Sequence, residues 1–85
     1  MPLVHVHDDY NNVREGDEKL ITECARRLLG GRAEAYELHL DEPSVELKAW
    51  ITRDGQQIWI ASDHWIDRAK KICEKMEAEL PAKLS

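Results

Sequence analysis

His5, His7 and Asp9 stand at alternate positions near the start of the chain, and imidazole and carboxylate are both ligands of transition-metal ions. If Leu3-Val4-His5-Val6-His7 forms a strand, its period of two puts both histidines on one side, with His39 or a water needed to complete a tetrahedron. Simple alternation is not a closed ligand set, so solvated histidines are the plainer reading and no metal is assigned. Ser62-Asp63-His64 has the residue types of a hydrolase triad. Neighbours at a helix start point in different directions, however, and a helix cap accounts for them better. Cys24 and Cys73 fall among apolar residues at helical spacing, where a reduced cysteine behaves as a small buried hydrophobe and not as a nucleophile. The chain reads as non-catalytic, with no cofactor motif.

Trp50 and Trp59 suggest recognition instead of reaction. Val45 to Thr52 alternates with period two, and Gln57 to Ala61 does so again after Asp54-Gly55, a dipeptide that favours a two-residue turn with positive φ. The register of such a hairpin sets Arg53 against Gln56, Thr52 against Gln57, Ile51 against Ile58 and Trp50 against Trp59. Val45, Leu47, Ala49, Ile51, Ile58 and Ile60 then form a core face, and the two indoles lie together on the other. Tryptophan pairs are common interface anchors, with Glu37, Glu46 and Lys48 as the rim here and Asp41 and Glu42 as acidic neighbours. The same rings would also be satisfied by cover from the N-terminal segment or from a second copy of the chain.

The other elements position this hairpin. Leu20, Ile21, Cys24, Ala25, Leu28 and Leu29 form one helical stripe, which predicts a helix from about Arg14 or Asp17 to Leu29, stopped by Gly30-Gly31. Ala35 to Leu40 predicts a strand. A four-residue loop at Asp41-Glu42-Pro43-Ser44 would pair Leu40 with Val45, Leu38 with Leu47, Tyr36 with Ala49, Glu37 with Lys48 and His39 with Glu46. Ser62 or Asp63 caps a last helix ending before or at Pro81, with Trp65, Ile66, Ala69, Ile72, Cys73, Met76 and Leu80 as its apolar stripe. The expected fold is α+β, a two-layer sandwich in α-β-β-β-α order: a three-stranded antiparallel sheet, both helices on one face, and an optional N-terminal strand. Residues 1–13 are then a strand or arm, 14–80 the folded core of a single domain and 81–85 a frayed tail.

The totals agree with a small globular protein. The chain has 85 residues, 42% hydrophobic and 34% charged, with a net charge of −5. That is one domain with a modest core, and the acidity disfavours a general polyanion binder, whose affinity rests on clustered Lys and Arg. No apolar run is long enough to span a bilayer and the start lacks signal-peptide organisation, so a cytoplasmic protein is expected.

The order of elements from Asp17 to Leu80 resembles the topology of the double-stranded-RNA-binding domain, in which two helices pack on one face of a three-stranded sheet. That family carries a basic cluster opening its last helix and a histidine-bearing loop between its first two strands. At the corresponding places this chain has Asp63-His64-Trp65-Ile66-Asp67 and Asp41-Glu42-Pro43-Ser44, leaving only Arg68, Lys70 and Lys71 as a basic patch. The leading expectation is therefore a small acidic protein-interaction module that binds a protein partner or its own copy, as a homodimer, through the outer sheet face. An inhibitor or regulator of a nucleic-acid-handling protein, of the kind made by phages and mobile elements, is its sharper form. The acidic positions relevant to such a role are Asp8, Asp9, Glu15, Asp17, Glu18, Asp41 and Glu42. RNA binding and metal binding through the N-terminal histidines are the alternatives.

Overall fold

A computed structural model describes residues 4–84; Leu3 of the expected arm and Ser85 of the expected tail lie outside them. The elements are β1 (His5–His7), α1 (Glu15–Leu29), a 3-10 segment (Gly30–Ala35), β2 (Glu37–Asp41), β3 (Leu47–Arg53), β4 (Gln56–Asp63) and α2 (Arg68–Lys83). They form an α+β fold with two helices and a four-stranded mixed sheet in the order β1-β2-β3-β4.

Helix α1 follows its sequence except at Leu20, which the periodicity puts in the apolar stripe and which lies exposed at its margin. Ile21, Cys24, Ala25 and Leu29 are buried, acidic residues occupy its first turn, and Arg26 and Arg27 occupy its last, where each charge complements the helix dipole. Gly30 stops it at φ 59° and ψ −132°, backbone angles that a residue with a Cβ adopts only under strain. The chain then tightens into the 3-10 segment, so that Ala35 is not a strand residue and β2 starts at Glu37.

Among the described residues, His5–His7 extend the sheet at its edge and do not fold over its face. β1 lies parallel to β2, pairing His5 with Glu37, Val6 with Leu38 and His7 with His39. A parallel neighbour requires a long crossover, which α1 supplies. The expected three-stranded antiparallel sheet is thus four-stranded and mixed.

Two registers differ from expectation. Between β2 and β3, Leu38 faces Ile51 and Leu40 faces Ala49, in place of Leu47 and Val45. This slide of four residues is even, so the inner and outer faces are unchanged. It opens a longer connection, 42–46, whose backbone is held from outside: Asn12 donates to the Glu42 carbonyl at 3.1 Å and Arg68 to the Val45 carbonyl at 3.0 Å. Glu37 consequently faces Thr52, and His39 faces Trp50.

Between β3 and β4 the Asp54-Gly55 turn forms as expected, with φ of 52° and 79°, and sets Arg53 against Gln56 and Thr52 against Gln57. A bulge follows at once, and the next pairs are Ile51 with Trp59, Trp50 with Ile60 and Ala49 with Ala61. The extra residue reverses the strand's faces. Trp59 enters the core, 3% exposed, while Ile60 turns outward, 52% exposed. A tryptophan buries more apolar area than an isoleucine, and the indole N–H keeps a partner there by donating to Glu79 Oε1 at 2.9 Å.

The last helix starts later than its stripe predicts. β4 continues through Asp63, residues 64–67 connect, and α2 begins at Arg68. Trp65 and Ile66 therefore leave the apolar stripe. Pro81 lies inside α2, and the helix runs on to Lys83. Arg32 donates to the Leu84 carbonyl at 3.3 Å and Leu84 packs against the core, so 81–84 is anchored and not a frayed tail. Ile21, Cys24, Ala25 and Leu29 of α1 and Ala69, Ile72, Cys73, Met76 and Leu80 of α2 join Leu38, Leu40, Leu47, Ala49, Ile51 and Trp59 in one buried cluster.

Candidate functional site

The expected pair of indoles on the outer face does not form, because the bulge sends Trp59 to the other side of the sheet. Trp50 is stacked instead on His39, with centroids 5.2 Å apart and planes 7° apart, and His39 is stacked on His7 at 4.7 Å and 14°. Cross-strand pairing dictates this row, since His7, His39, Trp50 and Ile60 are successive partners across all four strands. Glu37 Oε2 sits 2.7 Å from His7 Nε2, and His39 Nε2 shares a 2.9 Å hydrogen bond with Thr52 Oγ1. Burial, with the second imidazole beside it, holds the His39 pKa below the usual histidine range. The outer face thus carries one half-exposed indole behind two imidazoles, bordered by Glu46 and Lys48, whose charges lie 3.6 Å apart.

His5 and His7 share the outer face as the alternation required, but among the described residues no three His, Cys, Asp or Glu side chains are placed to hold an ion. Glu37 Oε2 lies 2.7 Å from His7 Nε2 and 3.9 Å from His39 Nε2, which places a carboxylate, and not a third imidazole, against the pair.

The opposite of a reactive geometry is found at the other candidates. Asp63 accepts from the His64 backbone N–H at 2.8 Å and pairs with Lys75 at 3.2 Å, interactions that hold its carboxyl below the usual range. His64 turns away to Glu46, 3.5 Å distant, so the three adjacent residues form no relay. Cys24 and Cys73 lie between the helices, and burial together with the neighbouring Cys24 pushes the Cys73 thiol up to about 12. A group with that pKa is not a thiolate near neutrality.

A different surface gathers at one end of the sheet. The β1–α1, β2–β3 and β4–α2 connections all emerge there, because β1 is parallel to β2 and the next three strands form a meander. Two polar networks tie them together. Asn12 donates to Asp41 Oδ1 at 2.9 Å and to the Glu42 carbonyl, and accepts from the Glu42 N–H at 3.2 Å. Arg68, 6% exposed, donates to Asp17 at 3.1 and 3.2 Å, to Glu42 at 2.7 Å and to the Val45 carbonyl. Arg68 is therefore structural, and the expected basic patch loses its arginine; Lys70 and Lys71 remain exposed. Asp41 and Glu42, expected as partner-facing acids, are bound within these networks.

This scaffold displays Trp65 and Ile66, which are 78% and 86% exposed. Trp65 has φ 73° and Asp67 has φ 62°, left-handed conformations that cost about 1–3 kcal/mol each and persist only where the surroundings impose them. Here Asp63 and Lys75 fix one side of the segment and Arg68 fixes the other. Val45 and Tyr10, on the neighbouring connections, are exposed as well. Asp8, Asp9, Glu15, Asp17, Glu18, Glu46, Asp63 and Asp67 lie on or beside these connections and make the surroundings acidic. Sequence reasoning missed this pair by assigning it to a helix stripe. Their helical spacing to Ala69 is genuine, and nothing local reveals that β4 occupies the preceding residues.

No protein-family model, curated protein or solved structure matches the chain. No helix among the described residues is long and apolar enough to cross a membrane.

Proposed function

We propose that the chain is a small acidic, non-catalytic protein-interaction module that binds a protein partner through the connection end of its sheet, with Trp65 and Ile66 as anchors. The observation that carries this reading is the presentation of two large apolar side chains, Trp65 in strained backbone and Ile66 beside it, on a hydrogen-bonded support. Strain of this kind is retained at sites where function uses it, and exposed tryptophan is a common hot-spot residue. The acidic surroundings suit a partner whose apolar pocket has a cationic rim, since complementary charge steers encounter and rejects wrong partners. The grooves that nucleic-acid-handling proteins use for phosphates have that rim, and regulation or inhibition of such a protein is the sharper form of the proposal. The outer face around Trp50, Glu46 and Lys48 adjoins this end and extends the surface.

The test is photo-crosslinking from position 66 in extract of the source cell, followed by binding measurements on the captured protein. Trp65→Ala with Ile66→Ala should weaken binding by at least about 2 kcal/mol with an unchanged circular dichroism spectrum. Added salt should slow association. Unchanged affinity for the double variant would remove the anchors, and loss on Trp50→Ala alone would move the surface to the outer sheet face.

A further inference from the structure

Cys24 and Cys73 are the only two cysteines of the chain, and both are free thiols. They lie 49 residues apart in sequence, so it is the packing of α1 on α2 that brings them together. Each sulfur reaches across to the backbone of the facing helix. Cys24 Sγ donates to the carbonyl of Cys73 itself at 3.8 Å, and Cys73 Sγ donates to the carbonyl of Leu20, one turn before Cys24, at 3.7 Å. The two thiols are also direct hydrogen-bonding neighbours of each other. A groove of about 510 Å³ between the helices is lined by both cysteines together with Arg27, Lys70 and Glu77. Within it the Arg27 guanidinium donates to Cys24 Sγ at 3.6 Å and to Glu77 Oε1 at 2.7 Å. The thiols are therefore unequal: a cation stands beside Cys24, whereas Cys73 holds its proton firmly, chiefly through burial.

We infer that Cys24 and Cys73 form a reversible oxidation site, at which a peroxide entering the groove converts the pair to an intramolecular disulfide joining α1 to α2. Neither thiol has the surroundings of an enzymatic nucleophile, and this chemistry asks for none, since each pair reacts once and not by turnover. In the first step the Cys24 sulfur, as the thiolate that Arg27 faces, attacks one oxygen of hydrogen peroxide. An S–O bond forms, the O–O bond breaks, and the departing hydroxide takes up the proton Cys24 released, leaving as water. Cys24 is then a sulfenic acid, oxidised by two electrons. In the second step the Cys73 sulfur attacks the sulfenic sulfur: the S–S bond forms, the S–O bond breaks, and the Cys73 proton leaves with that oxygen as a second water. The firmly held proton keeps Cys73 out of the first step and fits it to resolve the second. A dithiol reverses the change by exchange, restoring both thiols as it becomes a disulfide itself. The inference involves neither Trp65 nor Ile66 and stands apart from whatever they bind.

Mass spectrometry and thiol titration on the full, folded chain test it. Fully reduced protein treated with hydrogen peroxide should lose about 2 Da, the mass of two hydrogens, and both thiols should disappear together from maleimide labelling. The product should be monomeric, form at a rate independent of protein concentration, and revert in dithiothreitol. Its melting temperature should rise by at least about 5 °C, because the crosslink restricts the unfolded chain. Cys73→Ser should stop at a Cys24 sulfenic acid that dimedone traps, and Cys24→Ser should react at least about tenfold more slowly than the wild type. Arg27→Gln, on the rim of the groove, should slow the first step and leave the disulfide as the product. Where a serine variant changes the circular dichroism spectrum, the wild-type mass and titration decide. Two thiols that survive peroxide sufficient to oxidise free cysteine overturn the inference. So does a wild-type product that is a sulfinic acid or a crosslink between two copies, since either would mean that the sulfurs do not meet in the fold. Cys24→Ser reacting as fast as the wild type would overturn the order of attack.

Discussion

Arg68 shows how one side chain can organise a surface without belonging to it. Its guanidinium is withdrawn from water and answered by Asp17 from α1, Glu42 from the β2–β3 connection and the Val45 carbonyl. The planar fork suits such divergent acceptors better than a lysine ammonium. Removing it would leave two carboxylates facing each other and a carbonyl unpaired, so Arg68→Ala should cost about 3 kcal/mol in urea denaturation, the lower end for a broken buried pair because Asp17 retains access to water. Arg68→Lys should recover only part. His39 makes a second prediction. Its pKa is lowered in the fold, chiefly by burial, so below the ordinary value of 6.5 the unfolded chain takes up a proton that the folded chain resists. Stability should accordingly fall as pH drops below about 6.5, until the folded pKa is passed. A melting-temperature series against pH should lose this component in His39→Gln.

At the scale of elements, the bulge in β4 has the widest effect, because one extra residue exchanges Trp59 and Ile60 between the faces of the sheet. The two β3–β4 tryptophans should therefore respond very differently to truncation. Trp59→Ala empties a core site and removes the hydrogen bond to Glu79, for a loss of about 3–5 kcal/mol. Trp50→Ala removes only stacking on a half-exposed face, for about 1 kcal/mol or less, so the ratio of the two denaturation midpoints tests the register directly. Gly30 separates backbone from packing in the same way. An added Cβ there meets nothing within 4 Å, yet the backbone is left-handed in φ, so Gly30→Ala should destabilise by about 1–3 kcal/mol from conformation alone.

For the molecule as a whole, both helices and all four strands contribute to a single core cluster. α2 contacts both α1 and the sheet, and the Arg68 and Asn12 networks link the three connections at one end. Nothing in this arrangement divides into independently packed parts. Far-ultraviolet circular dichroism and near-ultraviolet signals from buried Trp59 should follow one coincident unfolding transition. Separate midpoints would mean that the connection end, with Trp65 and Ile66, opens before the core.

What the amino-acid sequence determined by itself was local. The stripe of α1, the Asp54-Gly55 turn with its first two residue pairs, and the inner side of β2 and β3 follow from periodicity and turn chemistry within a few residues. Tertiary structure decided whatever depended on a distant partner. Glu79 helps Trp59 to be inside, Asn12 and Arg68 hold the longer β2–β3 connection, and pairing of Leu47 with Asp63 draws β4 through residues that cap a helix in the linear reading. The candidate site lies almost wholly in this second category. Trp65 and Ile66 have the spacing of core residues, and become exposed anchors only because the strand before them is longer and the arginine after them is bound from three sides.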